Sequence, residues 1–322
     1  STAAPRRAAE PSRSAAMRRA AAALLGRPGA RGACGWSRST APPRALHEDQ
    51  VRGYDMDGFV LPEGSPAMRA LGPEQARQLR AKVQALEAHE RQPARVLLSH
   101  GHARYPWFHR LVTSHRILDA VEDLIGPDIL VWSVAAFVKE PGSEAHVGWH
   151  QDANYWGLRP FDGVVTAWVA LSDVEESSGP LEFLRASHLG DLRPRQEMAL
   201  SRPVDHHSVE RATMQAGEFS LHHVKTAHGS QPNRGADRRI GLAIRYMSTC
   251  TTSDRAEESA MLVRGKDHFG HFRLERPPAA EDDPTAKLQW QRGVASKSRN
   301  IMRLTDKANP SLWGSRLSAL RA

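Results

Sequence analysis

The stretch ILVWSVAAFVKEPGSEAHVGWHQDANYWGL, residues 129–158, contains the features that decide the fold. Its first ten residues, 129–138, are almost entirely apolar and run towards the turn-forming pair Pro141–Gly142. Short apolar runs between turn signals predict buried strands. Four further runs of this kind occupy residues 164–171, 181–184, 218–224 and 240–247. The sequence therefore predicts a mainly β fold, a double-stranded β-helix (jelly roll, cupin-like) with α-helices packed outside it.

The part of the chain before residue 129 contains the predicted flanking helices. An opening strand is predicted at residues 57–64, and a helix follows that has Pro73 in its first turn and apolar residues at helical spacing. A second helix is predicted over residues 114–125, with Ser114 as its cap and Gly126 at its end. Both helices have one apolar face, which indicates packing against the sheets.

The charge of the chain is concentrated at its beginning. The 322 residues have a formal net charge of +8, and residues 1–44 hold nine of the 44 basic residues but one of the 36 acidic residues. The remainder therefore has 35 of each and is formally neutral. A neutral body has no basic face for nucleic acid, so we predict no nucleic-acid partner.

Residues 1–44 are rich in Ala, Arg and Ser and nearly free of acidic residues, a composition typical of an organellar transit peptide. We therefore interpret 1–44 as a basic disordered or transit-peptide-like tail, 45–290 as the functional domain and 291–322 as a C-terminal extension. No stretch approaches the ~20 apolar residues of a membrane span. The expected location is soluble, mitochondrial or plastid if the tail is a transit peptide and cytoplasmic otherwise.

The segment GWHQDANYWG, residues 148–157, places His150 and Asp152 two positions apart. In a strand, residues two apart point to the same face, so both side chains are predicted to point into the barrel. The pattern alone is weak in a chain with 16 histidines. A second copy at residues 47–49 has no apolar strand around it, and we interpret it as chance.

The stretch HHVKTAHGSQPNRGADRRIGLAIRYM, residues 222–247, supplies the other groups that a metal site needs. His222, His223 and His228 are candidates for a further ligand. Arg239 begins a predicted strand on which two small residues, at 241 and 243, share its face and leave room beside the guanidinium. An arginine that points into such a cavity needs an anion to compensate its burial.

These segments resemble the phytanoyl-CoA dioxygenase family of non-haem Fe(II)/2-oxoglutarate-dependent oxygenases. The matching elements are FVKEPGSEAHVGWHQDANYWGL (137–158), TAWVALSDVEESSGPLEFLRASH (166–188) and the HGSQPN…RR segment (228–239). The resemblance runs from about residue 57 to about 290. The chain departs from the family at Arg185-Ala-Ser-His188, where family members usually have Pro-Gly-Ser-His, and this difference concerns a surface turn.

The resemblance implies a catalytic iron site and a binding site for the co-substrate. It implies that His150, Asp152 and His228 are the iron ligands, with His223 as the alternative to His228. It further implies that the co-substrate, 2-oxoglutarate, is held by Arg239, Ser230 and Trp168. Three protein ligands leave three positions on the metal, two for the keto acid and one for dioxygen. We expect Asn154, Tyr155 and Trp156, which follow the metal-binding segment, to face the substrate. The roles of Lys139, His146, His222 and His223 stay open.

The predicted function is that of an Fe(II)/2-oxoglutarate-dependent dioxygenase that hydroxylates a small organic substrate and releases succinate and CO2. Halogenases of similar fold have a small residue in place of the acidic ligand, so Asp152 argues against halogenation. Two alternatives remain, a zinc-dependent hydrolase that uses the same His/Asp/His site and a non-catalytic cupin-like binding protein. A zinc-dependent hydrolase has no need for Arg239 and Ser230, and a non-catalytic binding protein would leave the triad unexplained. The substrate and the oligomeric state do not follow from the sequence.

Overall fold

A computed structural model describes residues 42–196, 199–200, 204–255 and 258–302. The predicted tail, residues 1–44, lies outside the described residues except for its last three. There the backbone N–H of Arg44 donates to the Asp123 carboxylate (2.7 Å). Residues 303–322 of the predicted extension also lie outside the described residues.

The described chain contains seven α-helices and fifteen strands. The helices are α1 (Glu48–Asp57), α2 (Pro73–Glu90), α3 (Ala94–Leu97), α4 (Pro106–Val112), α5 (His115–Ile125), α6 (Ala153–Trp156) and α7 (Pro284–Met302). The strands are β1 (Phe59–Val60), β2 (Ile129–Lys139), β3 (Val147–His150), β4 (Leu158–Arg159), β5 (Val164–Ala170), β6 (Leu181–Leu184), β7 (Arg195–Gln196), β8 (Ala199–Leu200), β9 (Val209–Ala212), β10 (Phe219–His223), β11 (His228–Ser230), β12 (Arg239–Ser248), β13 (Thr252–Ser253), β14 (Ser259–Arg264) and β15 (Arg273–Leu274).

Two sheets form a jelly roll, which confirms the predicted fold class. The larger sheet has seven strands in the order β1-β10-β5-β12-β2-β14-β15, and the smaller has four in the order β3-β11-β6-β9. Pairing is antiparallel throughout both sheets except between β14 and β15. All five predicted apolar runs form strands, and each observed strand lies within a residue or two of its predicted bounds.

The two faces of the larger sheet have different neighbours. The odd-numbered residues of β5 and the even-numbered residues of β12, such as Val165 and Ile244, pack in one apolar cluster with residues of α2, α4 and α5. The alternate residues, such as Trp168 and Ala243, pack towards Phe183 of the smaller sheet. This period-two alternation leaves one face for the helices and the other for the space between the sheets.

The two predicted helices are confirmed as α2 and α5. Pro73 is the first residue of α2, and Gly126 ends α5 with φ 82°, a value that favours glycine. Ser114 is the N-cap residue of α5, as predicted, but its side chain makes no capping hydrogen bond. Its backbone carbonyl accepts hydrogen bonds from the N–H groups of Ile117 and Leu118 instead.

The helices α1, α3, α4 and α7 were not predicted from the sequence, because their periodic patterns of apolar residues are weak or short. The helix α1 has a single buried residue, Tyr54, and α3 and α4 are short. The predicted strand at 57–64 shrinks to the two residues of β1. The helix α7 runs across the boundary predicted between residues 290 and 291, with Trp290 and Val294 buried. Within the described ranges, no helix has both the length and the apolarity needed to cross a membrane.

Candidate active site

Strand pairing brings two of the predicted metal-binding residues together. The strands β3 and β11 pair with His150 opposite His228, and the two imidazole ring centres are 4.2 Å apart. Directly opposed residues of an antiparallel pair have side chains on the same face. The register between these short strands therefore fixes the distance between the two histidines.

The third predicted ligand, Asp152, does not lie on a strand. The strand β3 ends at His150, and Asp152 has the helical angles φ −56° and ψ −36° immediately before α6. The start of a helical turn, and not strand alternation, directs its carboxylate towards the histidines. One carboxylate oxygen, Oδ1, is 3.5 Å from Nε2 of His150, and the other, Oδ2, is 3.9 Å from Nε2 of His228.

Backbone carbonyls fix the protonation of both histidines. Nδ1 of His150 lies 2.9 Å from the carbonyl of Gly148, and Nδ1 of His228 lies 2.9 Å from the carbonyl of Thr226. A carbonyl accepts but does not donate, so Nδ1 carries the proton in each ring. Each Nε2 therefore has a lone pair, which faces the carboxylate. This is the arrangement that orients metal-binding histidines.

Burial and the neighbouring groups set the protonation states of Asp152 and His228. Burial raises the pKa of Asp152, but its interactions with the His150 and His228 imidazoles and with the Arg245 guanidinium outweigh burial and hold the pKa well below its usual range. Burial, together with the neighbouring His150, lowers the pKa of His228 to about 4. At neutral pH the site has an ionised carboxylate and a neutral His228.

This group of donors fits a divalent iron ion. The ligand atoms of His150, Asp152 and His228 lie within 4.8 Å of one another. Two imidazole nitrogens and one carboxylate oxygen are the ligand set of non-haem iron(II) oxygenases, and they leave part of the coordination sphere open. The three residues are buried or half-buried at the wall of a cavity between the two sheets.

Arg239 lies in the same cavity as the triad. It is 1% exposed, and one guanidinium nitrogen donates to the carbonyl of Gly179 at 2.8 Å. Its Nε has no hydrogen-bond partner among the described residues, and none of their acidic side chains pairs with it. Burial lowers its pKa to about 10, so the guanidinium stays charged at neutral pH. A buried cation with unused donors is suited to a carboxylate ligand.

The strand face beside Arg239 is shared with Gly241 and Ala243, as predicted, and Trp168 fills the space above Gly241. A Cβ atom at position 241 would lie 1.7 Å from the indole, so only glycine fits there. The guanidinium carbon is 5.2 Å from the centre of the Trp168 ring. The small residue therefore makes room for the indole, which forms a wall of the cavity beside Arg239.

Lys139 is a site residue whose role the sequence left open. It lies opposite Arg239 in the pairing of β2 and β12 and is 3% exposed. Its Nζ donates to Oγ of Ser230 at 2.8 Å and to the carbonyl of Gln231. Burial and the charge of Arg239 lower the pKa of Lys139 to about 7. Ser230, a predicted co-substrate residue, is thereby held at the cavity wall by a second basic side chain.

Three more residues line the cavity through the alternation of the larger sheet: His222 on β10, Thr166 on β5 and Arg245 on β12. Nε2 of His222 is 3.9 Å from Oδ2 of Asp152, and neither ring nitrogen has a hydrogen-bond partner in the part of the chain that the structure describes. His223 points away from the cavity and lies 3.3 Å from Asp162. His222, and not His223 as the sequence suggested, is thus the further histidine beside the triad.

The residues predicted to face substrate lie elsewhere. Tyr155 and Trp156 are buried in an apolar cluster with Trp132, behind the cavity, because α6 turns them inwards. Asn154 is half-buried and donates to the backbone of Arg193 at 3.4 Å. That expectation therefore does not agree with the structure, in which none of the three lines the cavity.

Two other sequence candidates lie outside the cavity. His146 is exposed, and its Nδ1 lies 3.3 Å from the carbonyl of Glu144. The His-x-Asp copy at residues 47–49 belongs to the beginning of α1, where His47 accepts a hydrogen bond from the N–H of Asp49. These positions are exposed, which agrees with their interpretation as chance.

The fold and the site together define a protein of the iron- and 2-oxoglutarate-dependent dioxygenase class. The chain belongs to the phytanoyl-CoA dioxygenase (PhyH) family, whose model matches residues 3–241. The family assignment made from the sequence motifs is therefore confirmed.

Curated relatives match part of the chain. A probable alpha-ketoglutarate-dependent hypophosphite dioxygenase of Stutzerimonas stutzeri is 33% identical over 150 residues, which are 42% of this chain and 51% of the relative. The peroxisomal phytanoyl-CoA dioxygenase of Homo sapiens is 27% identical over 153 residues, 43% of this chain and 45% of the relative. The chain thus spans about half the length of these curated relatives.

A solved structure matches over a larger part. The apo form of the non-heme monooxygenase ThoJ is 31% identical, with a TM-score of 0.73, and the match covers 81% of this chain and all of ThoJ. A nickel complex of ThoJ matches with a TM-score of 0.69 and 32% identity over 80% of this chain and all of ThoJ.

Proposed function

We propose that this protein is an Fe(II)/2-oxoglutarate-dependent dioxygenase that hydroxylates a C–H bond of a small organic substrate. In this reaction one atom of dioxygen enters the substrate as hydroxyl and the other enters succinate, while the carboxyl group next to the keto group leaves as CO2. The observation that carries the proposal is one cavity lined by two histidines of fixed tautomer, an ionised carboxylate and a buried arginine with unused donors.

In the proposed function, His150, Asp152 and His228 hold the iron. When bound, the iron with 2-oxoglutarate supplies the activation of dioxygen, which the side chains themselves cannot perform. The carbonyls of Gly148 and Thr226 keep the protons on Nδ1 of the two histidines, so that each Nε2 is available without a proton loss. The depressed pKa of Asp152 keeps its carboxylate ionised at neutral pH.

The proposed site for the co-substrate lies beside the triad. Arg239 binds the carboxylate that is distal to the keto group, since it is the fully buried guanidinium of the cavity and its Nε donor is unused. Nε of Arg245 is also unused, but Arg245 is only half-buried. Ser230 contributes its hydroxyl, which Lys139 holds in place at 2.8 Å. The indole of Trp168 covers the same region and excludes water from the ion pair. A desolvated pair of this kind is stronger than the same pair in water.

The substrate site is the remainder of the cavity. Its wall contains the apolar side chains of Phe137, Val147 and Leu181 and the polar side chains of Thr166 and Arg245. The relatives named above, by their own names, act on hypophosphite and on phytanoyl-CoA, and we propose a small molecule as the substrate here also. A zinc-dependent hydrolase would have no use for Arg239.

We further propose that residues 45–290 form the catalytic domain and that the basic tail, residues 1–44, serves for targeting to an organelle. The tail holds the whole net charge of the chain, while the remainder is formally neutral. Fusion of residues 1–44 to a fluorescent protein tests the targeting role. Import into mitochondria or plastids supports it, and a diffuse cytoplasmic signal contradicts it.

The substrate test is a metabolite panel incubated with the iron(II) protein and 2-oxoglutarate, with succinate formation as the first readout. Any substrate that raises succinate formation is then analysed by mass spectrometry in buffer with and without chloride. We expect a product that has gained one oxygen atom from dioxygen in both buffers, because Asp152 occupies the position that a halide would need. A chlorinated product, or an oxygen atom that comes from water, would contradict the hydroxylase proposal.

A further inference from the structure

A second group of metal-binding side chains lies outside the candidate active site. It consists of His100, His102 and Glu275, whose ligand atoms lie within 4.8 Å of one another. The two histidines belong to the short 3-10 turn before α4, and Glu275 directly follows β15. All three are buried, with exposed fractions of 1%, 0% and 5%. None of them lines the cavity that holds the triad.

The distances within this group suit a small divalent ion. Nε2 of His100 is 2.8 Å and 2.9 Å from the two oxygens of Glu275, and Nε2 of His102 is 3.6 Å from Oε2. Around a tetrahedral zinc ion with bonds of about 2.05 Å, two ligand atoms lie about 3.3 Å apart. The observed distances lie on both sides of that value, so movements of a few tenths of an ångström admit the ion.

Nε2 of His100 lies within hydrogen-bond distance of the Glu275 carboxylate, but three other ring nitrogens of the cluster have no partner among the described residues. Neither ring nitrogen of His102 has a hydrogen-bond partner among the described residues, and the same holds for Nδ1 of His100. A buried polar atom without a partner is costly, and each such atom calls for a specific explanation. Nε2 of His102 faces the carboxylate of Glu275 at a distance too long for a hydrogen bond and suited to a shared ion.

The charge of Glu275 also indicates a bound cation. The nearby cation Lys297 pairs with Glu258 at 3.0 Å and donates to the backbone of Ser259, so its charge is already compensated. Over the described ranges, Glu275 forms no ion pair with a lysine or an arginine. Its other contact is the Ser259 hydroxyl, which donates to it at 2.5 Å. A buried carboxylate requires a compensating cation.

The backbone holds the cluster in place before any ion binds. His100 has a positive φ of 58°, uncommon for a residue with a side chain, and its N–H donates to Val134 of β2 at 3.0 Å. The helix α7 crosses the His100 ring at Gly293, where a Cβ atom would lie 2.4 Å from Nε2. Three separate parts of the chain, namely the turn, the end of β15 and α7, therefore meet at one point.

We propose that His100, His102 and Glu275 bind a structural zinc ion, with the Ser259 hydroxyl or a water molecule as the fourth ligand. The ion links the turn before α4 to the end of β15, and α7 covers it. Two imidazoles and one carboxylate are within the ordinary ligand chemistry of zinc. No buried arginine of the described residues lies beside the cluster, so we assign it no part in binding 2-oxoglutarate.

The test separates this site from the triad. The full chain with Asp152→Ala and His228→Ala is purified, stripped with a chelator, dialysed against zinc and analysed for bound metal. We expect one zinc ion per chain. The additional substitution His102→Gln or Glu275→Gln should weaken zinc binding roughly 100-fold or more, since loss of a supporting contact alone costs 10- to 100-fold. His109→Gln in α4, a half-buried histidine outside the cluster, is the matched control and should bind zinc like its parent.

A second readout guards against variants that fold poorly. Zinc at about 100 times its dissociation constant should raise the melting temperature of the triad-deficient protein by about 5 °C. The same protein crystallised with zinc should show an anomalous scattering peak among the three side chains. Absence of bound zinc, a peak located elsewhere, or unchanged affinity in folded His102→Gln protein overturns the proposal. Any of these results leaves the proposed dioxygenase function untouched, because the triad was removed beforehand.

Discussion

Replacement of Arg239 by glutamine should weaken the binding of 2-oxoglutarate without harming the fold. In the structure one guanidinium nitrogen donates to the carbonyl of Gly179, while Nε has no hydrogen-bond partner among the described residues. A carboxylate bound there gains charge-assisted hydrogen bonds that are worth about 1.5–3 kcal/mol, so their loss corresponds to about 10- to 150-fold in affinity. Arg239→Lys keeps the charge but loses the planar guanidinium, so its affinity for 2-oxoglutarate should lie between those of the parent and of Arg239→Gln.

The assay is calorimetric titration of 2-oxoglutarate into the iron(II)-loaded protein without oxygen. The matched control is Arg238→Gln, because the neighbouring Arg238 lies outside the cavity and pairs with Glu87 (2.6 Å) and Glu140 (2.8 Å). Affinity for 2-oxoglutarate should not change in the control. The metal-free Arg239→Gln protein should melt no lower than the parent, since it loses a buried charge that has no acidic partner over the described residues. An affinity change below about threefold, or an equal change in the Arg238 control, would refute the assignment of Arg239.

Three further predictions concern the triad, the inner sheet face and the tail. His228→Ala should abolish iron binding at the triad, measured by metal analysis, whereas His222→Ala should retain it; the opposite order would exchange their roles. Gly241→Ala should lower the unfolding free energy by about 1–3 kcal/mol in denaturant titration, because its Cβ would lie 1.7 Å from Trp168; an unchanged midpoint would show that the indole moves freely. A protein that begins at residue 45 should keep the melting temperature and 2-oxoglutarate turnover of the full chain; a clear loss of either would place the domain boundary earlier.

The strands could be predicted from the sequence because buried strands consist almost entirely of apolar residues. The runs at 129–138 and 164–171 are apolar at nearly every position, which is typical of strands covered on both faces. In the structure, helices cover one face of the larger sheet and the smaller sheet covers the other. The helix α5 was predicted for a similar reason, since its apolar residues recur at helical spacing.

The helices α1 and α7 could not be predicted in the same way. Only Tyr54 of α1 is buried, and the few buried residues of α7, such as Trp290 and Val294, lie among charged residues. A helix that buries few residues gives a weak periodic signal, and packing against the rest of the chain decides its formation.

The candidate site was predicted in part, and the errors have local causes. The family motif placed Asp152 beside the two histidines, and the structure does the same. The reasoning from strand alternation does not apply to it, because its backbone is helical and not extended. Tyr155 and Trp156, which we expected to face the substrate, are buried by the same helical turn and do not line the cavity. Three cavity residues were not predicted: His222, Thr166 and Arg245. They lie on strands that are neighbours in the sheet but separate in the sequence, so spacing along the chain does not reveal that they meet.

The most direct test of the proposed function is succinate formation from 2-oxoglutarate by the iron(II) protein under isotopically labelled dioxygen. We predict succinate that carries one labelled oxygen atom. The activity should depend on iron and be absent when zinc replaces it or when Asp152→Ala removes the acidic ligand. We expect such turnover to proceed slowly even without the true substrate, so the test does not wait for its discovery. Unlabelled succinate, or equal succinate formation by the Asp152→Ala protein, would contradict the account.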